Sequence, residues 1–72
     1  EEESFKILKK AFKEFKKGEK FTPEDLLNVS DIPVPRRHVL TFVDILKEEE
    51  GKIKLLEVGE SDDDFENTYK VK

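Results

Sequence analysis

The sequence predicts an α+β fold of three helices followed by a two-stranded β-hairpin, and three observations lead there. Apolar residues recur at three- and four-residue spacing in two stretches, one around residues 5–15 and one around 39–46. Between them stands a helix-start signature, Thr22-Pro23-Glu24-Asp25. After Gly51 the helical period gives way to segments that read as strands, 52–58 and 68–72.

The first helix carries Phe5, Leu8, Phe12 and Phe15 on one face, with Ile7 and Ala11 beside them. Lys6, Lys9, Lys10, Lys13, Lys16 and Lys17 fill the other positions. Glu1, Glu2 and Glu3 lie at the positive end of the helix dipole and the later lysines at its negative end, where Gly18 can take the left-handed stop. Lys20 to Thr22 is expected to supply a brief edge strand.

Thr22 then caps the second helix, Pro23 suits its first position and Asp25 sits where the acid of a capping box belongs. Phe21 and Leu26 occupy the two positions of a hydrophobic staple. This helix is expected over Pro23 to about Val29, with Leu26 and Leu27 inward. Pro33 and Pro35 disfavour helix at Ile32 and Val34, so 30–34 reads as a turn and Pro35 opens the third helix. There Val39, Phe42, Val43 and Leu46 make the core stripe, Leu40 and Ile45 flank it, and Gly51 ends the element. Arg37, Thr41, Asp44 and Glu48 fall on the solvent face.

The segment 52–58 is expected as a strand, Gly59 to Asn67 as a polar loop, and Thr68 to Lys72 as the returning strand, with Tyr69 and Val71 on one face. Three helices with a short second member, a turn into the third, and then a hairpin form the plan of a winged helix-turn-helix. The 72 residues leave no room for a second domain. The opening at Glu1 without Met, and the end within a strand, suggest a piece excised from a longer protein. Met, Gln and Trp are absent while Glu and Lys abound, a bias shared by hyperthermophilic and designed sequences.

Composition narrows the function classes. With no Cys, disulfides, thiolate metal sites and cysteine nucleophiles are excluded. No apolar run approaches the roughly 18 residues of a membrane span, and no signal peptide opens the chain, so a soluble, intracellular protein is expected. His38 stands alone, and no catalytic set can be assembled around it. Asp62, Asp63 and Asp64 lack the alternate spacing and central Gly of a calcium loop, and no Gly-rich phosphate loop is present, so neither catalysis, metal nor cofactor is expected. A mobile, solvated wing tip is the expectation for the acids.

In DNA-binding members of this architecture the third helix enters the major groove and the wing reaches the backbone. Arg36, Arg37 and His38 at the start of helix three are the candidate nucleic-acid contacts. Asp44 and Glu48 share that face, however, the wing carries Glu60, Asp62, Asp63, Asp64 and Glu66, and the net charge is −4. Such a surface repels a duplex, so direct nucleic-acid binding is disfavoured. The lysine face of helix one reads as a solvated surface.

Apolar residues in the wing point instead to a protein partner. Alternation in Ile53-Lys54-Leu55-Leu56-Glu57-Val58 puts Ile53 and Leu55 on one face, and Leu56 and Val58 on the other. Two readings stand: Leu56 and Val58 are exposed and, with Phe65 from the loop, form a docking patch, or a bulge near Leu55 and Leu56 turns them all inward. The expected partner-binding residues are Leu40, Asp44, Leu55, Leu56, Val58, Phe65 and Tyr69, on a chain expected to be monomeric in isolation. A free wing edge would also accept an added strand.

The stretches Arg37-His38-Val39-Leu40-Thr41-Phe42-Val43-Asp44-Ile45-Leu46 and Gly51-Lys52-Ile53-Lys54-Leu55-Leu56 resemble the C-terminal winged-helix domain of kleisins, the prokaryotic ScpA type above all. Lys20-Phe21-Thr22-Pro23-Glu24-Asp25-Leu26-Leu27 is similar to that family's short segment before helix three. Asp44 stands where the family has a small apolar residue, and Glu48 where it has leucine. The resemblance implies a non-enzymatic, cytoplasmic and chromosome-associated domain that binds the ATPase head of an SMC protein in chromosome condensation and segregation. A second resemblance rests on Val43-Asp44-Ile45-Leu46, Gly51-Lys52-Ile53 and Asp62-Asp63-Asp64-Phe65, which look like the C-terminal winged helix of the replication protein A middle subunit. It implies recruitment of basic helices of replication and repair proteins through the acidic wing.

Overall fold

The computed structural model describes residues 2–30, 32–60 and 64–72. The fold is α+β, with three helices and a three-stranded antiparallel sheet. Helix α1 spans Glu2–Phe12, strand β1 Lys20–Phe21, helix α2 Pro23–Val29 and helix α3 Arg36–Asp44. Strands β2, Ile53–Glu57, and β3, Thr68–Val71, form the hairpin. This arrangement is compatible with the expected three helices plus hairpin.

Helix α1 ends three residues before Phe15, earlier than the periodicity suggests. The chain tightens instead, with Glu14 N–H donating to the Ala11 carbonyl and Phe15 N–H to that of Phe12, both at 3.0 Å. Gly18, at φ +88°, completes the turn in the left-handed region. That turn brings Phe15 onto Phe21, their rings stacked 5.0 Å apart, while Phe12 meets Phe21 edge-on at 6.0 Å. Phe21 also packs 5.9 Å from Tyr69, so it links the helices to the sheet.

At α2 the capping box forms as expected: Asp25 N–H donates to Thr22 Oγ1 at 3.2 Å, and Thr22 N–H to Asp25 Oδ2 at 3.0 Å. Pro35 precedes α3 as its cap residue rather than as its first helical residue. Val34, placed in the turn before it, is buried and belongs to the core.

The third helix does not run uniformly to Gly51. After Asp44 the backbone widens into a π turn over Ile45–Glu49, with Glu50 N–H donating to the Ile45 carbonyl at 3.0 Å. Gly51, at φ +60°, then reverses the chain and Lys52 N–H donates to the Leu46 carbonyl at 2.8 Å. Val39, Phe42, Val43 and Leu46 are buried, as the periodicity predicts.

The sheet order is β1-β3-β2, so β3 lies in the centre and β1 and β2 are edges. The expected short strand at 20–22 is therefore present as Lys20–Phe21 and completes a sheet of three rather than two strands. One sheet face, with Phe21, Ile53, Tyr69 and Val71, closes over Leu8, Leu26, Val39 and Val43. Burying these apolar groups is the main source of stability in so small a chain.

Candidate functional site

The hairpin and the start of α3 hold the candidate residues, and the structure sorts them into exposed and buried sets. The register is Leu55 opposite Tyr69 and Glu57 opposite Thr68, so Leu56 is the extra residue of a β-bulge. The bulge does not turn the aliphatics inward. Leu56 remains 41% and Val58 66% exposed, while Leu55 packs half-buried against the core. Each reading is thus met in one part: the bulge exists, and Leu56 and Val58 are exposed. Among the described residues β2 pairs only with β3, so its other edge offers backbone donors and acceptors without a strand partner there.

Two expected docking residues are corrected. Phe65 is 1% exposed and Tyr69 4%, and both are core residues that cannot meet a partner. For Phe65, a position in a polar loop suggested exposure, but the Arg36 guanidinium lies 4.2 Å from the Phe65 ring centre and stacks on it from outside. For Tyr69, the third strand explains the burial, since a central strand presents one face entirely to the helices. Of the α3 candidates, Leu40 is half-buried against the core and Asp44 is exposed.

The three expected nucleic-acid contacts also separate. Arg36 packs on Phe65. Arg37 is exposed and its carbonyl accepts the Thr41 hydroxyl at 2.9 Å. His38 is half-buried, with Nδ1 3.0 Å from Ser4 Oγ, and its Nε2 is buried without a partner. It ties α3 to α1, which disfavours its use on a phosphate.

The expectation of a mobile, solvated wing tip falls largely on Asp62 and Asp63, which lie outside the described residues. Buried Asn67 accepts the Gly59 N–H on its Oδ1 at 2.9 Å and donates from Nδ2 to Asp64 Oδ1 at 3.4 Å. Asp64 takes φ +62°, a conformation an aspartate tolerates better than most residues. Glu57, Glu60, Asp64 and Glu66 are exposed around this end of the hairpin.

A groove of about 370 Å³ runs between α1 and the π turn, floored by Phe5, Phe12 and Phe42. Its polar lining is Lys6, Lys9, Lys52 and Glu50, of which Lys52 and Glu50 pair at 3.0 Å. Among the described residues no group of acids and histidines is arranged to hold a metal ion. No helix among them is long and apolar enough to cross a membrane.

Residue-by-residue reading missed the outer sheet face. Lys20 and Lys54 both lie directly opposite Lys70, and all three are exposed. The recurrence of lysine at 52, 54, 70 and 72 signals that face, but only the register reveals that the side chains stand together.

Comparison with protein families, with curated proteins and with solved structures yields no match, so the functional reading rests on this geometry.

Proposed function

We propose that the chain is a winged-helix protein-docking module without catalytic activity, of the kleisin C-terminal kind, whose hairpin meets the ATPase head of an SMC protein. The observation that carries this reading is two exposed aliphatics, Leu56 on a free edge strand and Val58 just past its end. Adjacent exposed apolar side chains and an open backbone ladder together suit a protein surface better than a solute or a duplex.

Calorimetric titration with an SMC ATPase head tests the proposal. Binding in the micromolar range or tighter is expected, and it should weaken by at least about tenfold in the Leu56→Ser, Val58→Ser double variant. No heat at tens of micromolar removes the kleisin assignment. The exposed Glu57, Glu60, Asp64 and Glu66 favour a second reading, recruitment of a basic helical peptide. In that case a cationic amphipathic peptide shifts the amides of 57–60 and 64–67, and silence there ends it. A DNA-binding winged helix instead predicts duplex affinity that falls steeply with salt.

A further inference from the structure

The outer face of the sheet gathers positive charge although the chain as a whole is acidic. Lys20, Lys70 and Lys54 form a row across all three strands, one residue per strand. Lys72 N–H donates to the Lys52 carbonyl at 2.9 Å, which prolongs the ladder and sets exposed Lys72 next to that row, while Lys52 lines the groove beside α1. On the β1 side, Gly18 N–H donates to the Val71 carbonyl at 2.7 Å and brings Lys17 alongside. Lys17, Lys54, Lys70 and Lys72 line one shallow depression.

Like charges directly opposite one another destabilise an antiparallel pair, so this arrangement opposes folding. Lysine on an edge strand has a familiar protective use, because it discourages pairing with other chains. That accounts for Lys20 and Lys54 but not for Lys70, which stands on the central strand where no edge needs guarding. Nor do the described carboxylates neutralise most of this charge. Among the described residues Lys52 pairs with Glu50, the Glu19 carboxylate takes the Lys16 N–H, and no carboxylate pairs with Lys17, Lys20, Lys54, Lys70 or Lys72.

We infer that this lysine face is a docking surface for an acidic protein segment, whose carboxylates lie over the row and whose apolar side chains reach Leu56 and Val58. The inference rests on the protein-docking reading and names the chemistry the partner brings. Charge complementarity calls for an anion, and three features select a protein over a nucleic acid. The exposed aliphatics at the far end of β2 have nothing to gain from a phosphate backbone. Glu57, Glu60, Asp64 and Glu66 at that end repel a long polyanion but leave room for a short segment. Every outward side chain of the row is an ammonium, and the sheet's aromatics, Phe21 and Tyr69, point into the core, so no ring is offered to a base.

The test is a titration of the isotopically labelled chain, followed by backbone amide shifts, with a short peptide alternating Glu with Leu and Val. The same peptide carrying Gln for Glu, and a short DNA duplex, are titrated in parallel. The expected result is a set of shifts at Lys20, Lys54, Lys70 and Lys72 that extends to Leu56, seen with the Glu peptide and abolished by added salt or by Gln. Lys70→Glu should weaken binding at least about tenfold while the melting temperature is unchanged or higher, since the substitution relieves repulsion. Shifts absent from the sheet face, or affinity retained by Lys70→Glu, overturn the inference, and a duplex that binds more tightly than the peptide transfers the face to nucleic acid. Failure here is distinct from failure of the docking reading, because loss of SMC-head binding on Leu56→Ser, Val58→Ser does not require the lysines.

Discussion

Asn67 is the side chain on which the closed end of the hairpin depends. It is buried, it accepts the Gly59 N–H, and its own N–H reaches the Asp64 carbonyl at 3.3 Å. Asn67→Ala leaves the Gly59 donor unpaired in a part-buried site and should cost about 1–3 kcal/mol, read from the urea midpoint. Gly59 is equally constrained, for a different reason. A Cβ built there would stand 2.5 Å from the Glu66 carbonyl oxygen and Cβ, and backbone cannot yield as a flexible side-chain end would. Gly59→Ala should therefore also destabilise, by about 1–3 kcal/mol, and should shift amides along β2 and β3 as the loop is forced open. Both substitutions act without touching Leu56 or Val58, so any effect on partner binding would come through the geometry of the strand that carries them.

The sheet offers the clearest prediction among the elements. Lys70 faces a lysine on either side, and cross-strand pairs are worth about 0.2–1 kcal/mol. Lys70→Gln should stabilise the chain by an amount of that order at low ionic strength, with the gain shrinking as salt screens the row. A melting temperature that falls, or a gain insensitive to salt, would show that the row is not under repulsion. This element also marks where sequence reasoning stops. The helices were legible because their signals are local: the period of Val39, Phe42, Val43 and Leu46, and the reciprocal bonds of Thr22 and Asp25, need no knowledge of the rest of the fold. The alternation of Ile53 and Leu55 was legible too. The register that sets Lys20, Lys54 and Lys70 in one row was not, because it joins residues from opposite ends of the chain. Phe65 misled for the same reason, since its cover is Arg36, distant in sequence. The π turn after Asp44 has no local signature in Ile45-Leu46-Lys47-Glu48-Glu49, which reads as ordinary helix.

At the scale of the whole molecule, one residue joins the layers. Phe21 is 1% exposed, lies on the short strand β1, stacks on Phe15 from the turn after α1, meets Phe12 at that helix's end, and reaches Tyr69 on the central strand. Its backbone sits between the sheet pairing with Tyr69 and the cap of α2 at Thr22. Loss of this ring removes contacts from α1, the sheet and the start of α2 together, and among the described residues no second cluster holds any of them independently. Truncating a buried Phe costs about 3–5 kcal/mol, and a core in a chain of this length rarely supplies more than about 3–5 kcal/mol in total. Phe21→Ala should accordingly abolish the cooperative transition, so that near-ultraviolet and far-ultraviolet dichroism are both lost at ambient temperature. If the helical signal survived while the aromatic signal vanished, the helices would hold without the sheet, and the one-core account would be wrong. The same logic separates structure from recognition. Phe21→Ala should remove both docking on Leu56 and Val58 and anion capture on the lysine face, because each is only a surface of the sheet that Phe21 fastens down. Lys70→Glu, by contrast, should weaken capture of the acidic segment in a chain that still melts in a single transition.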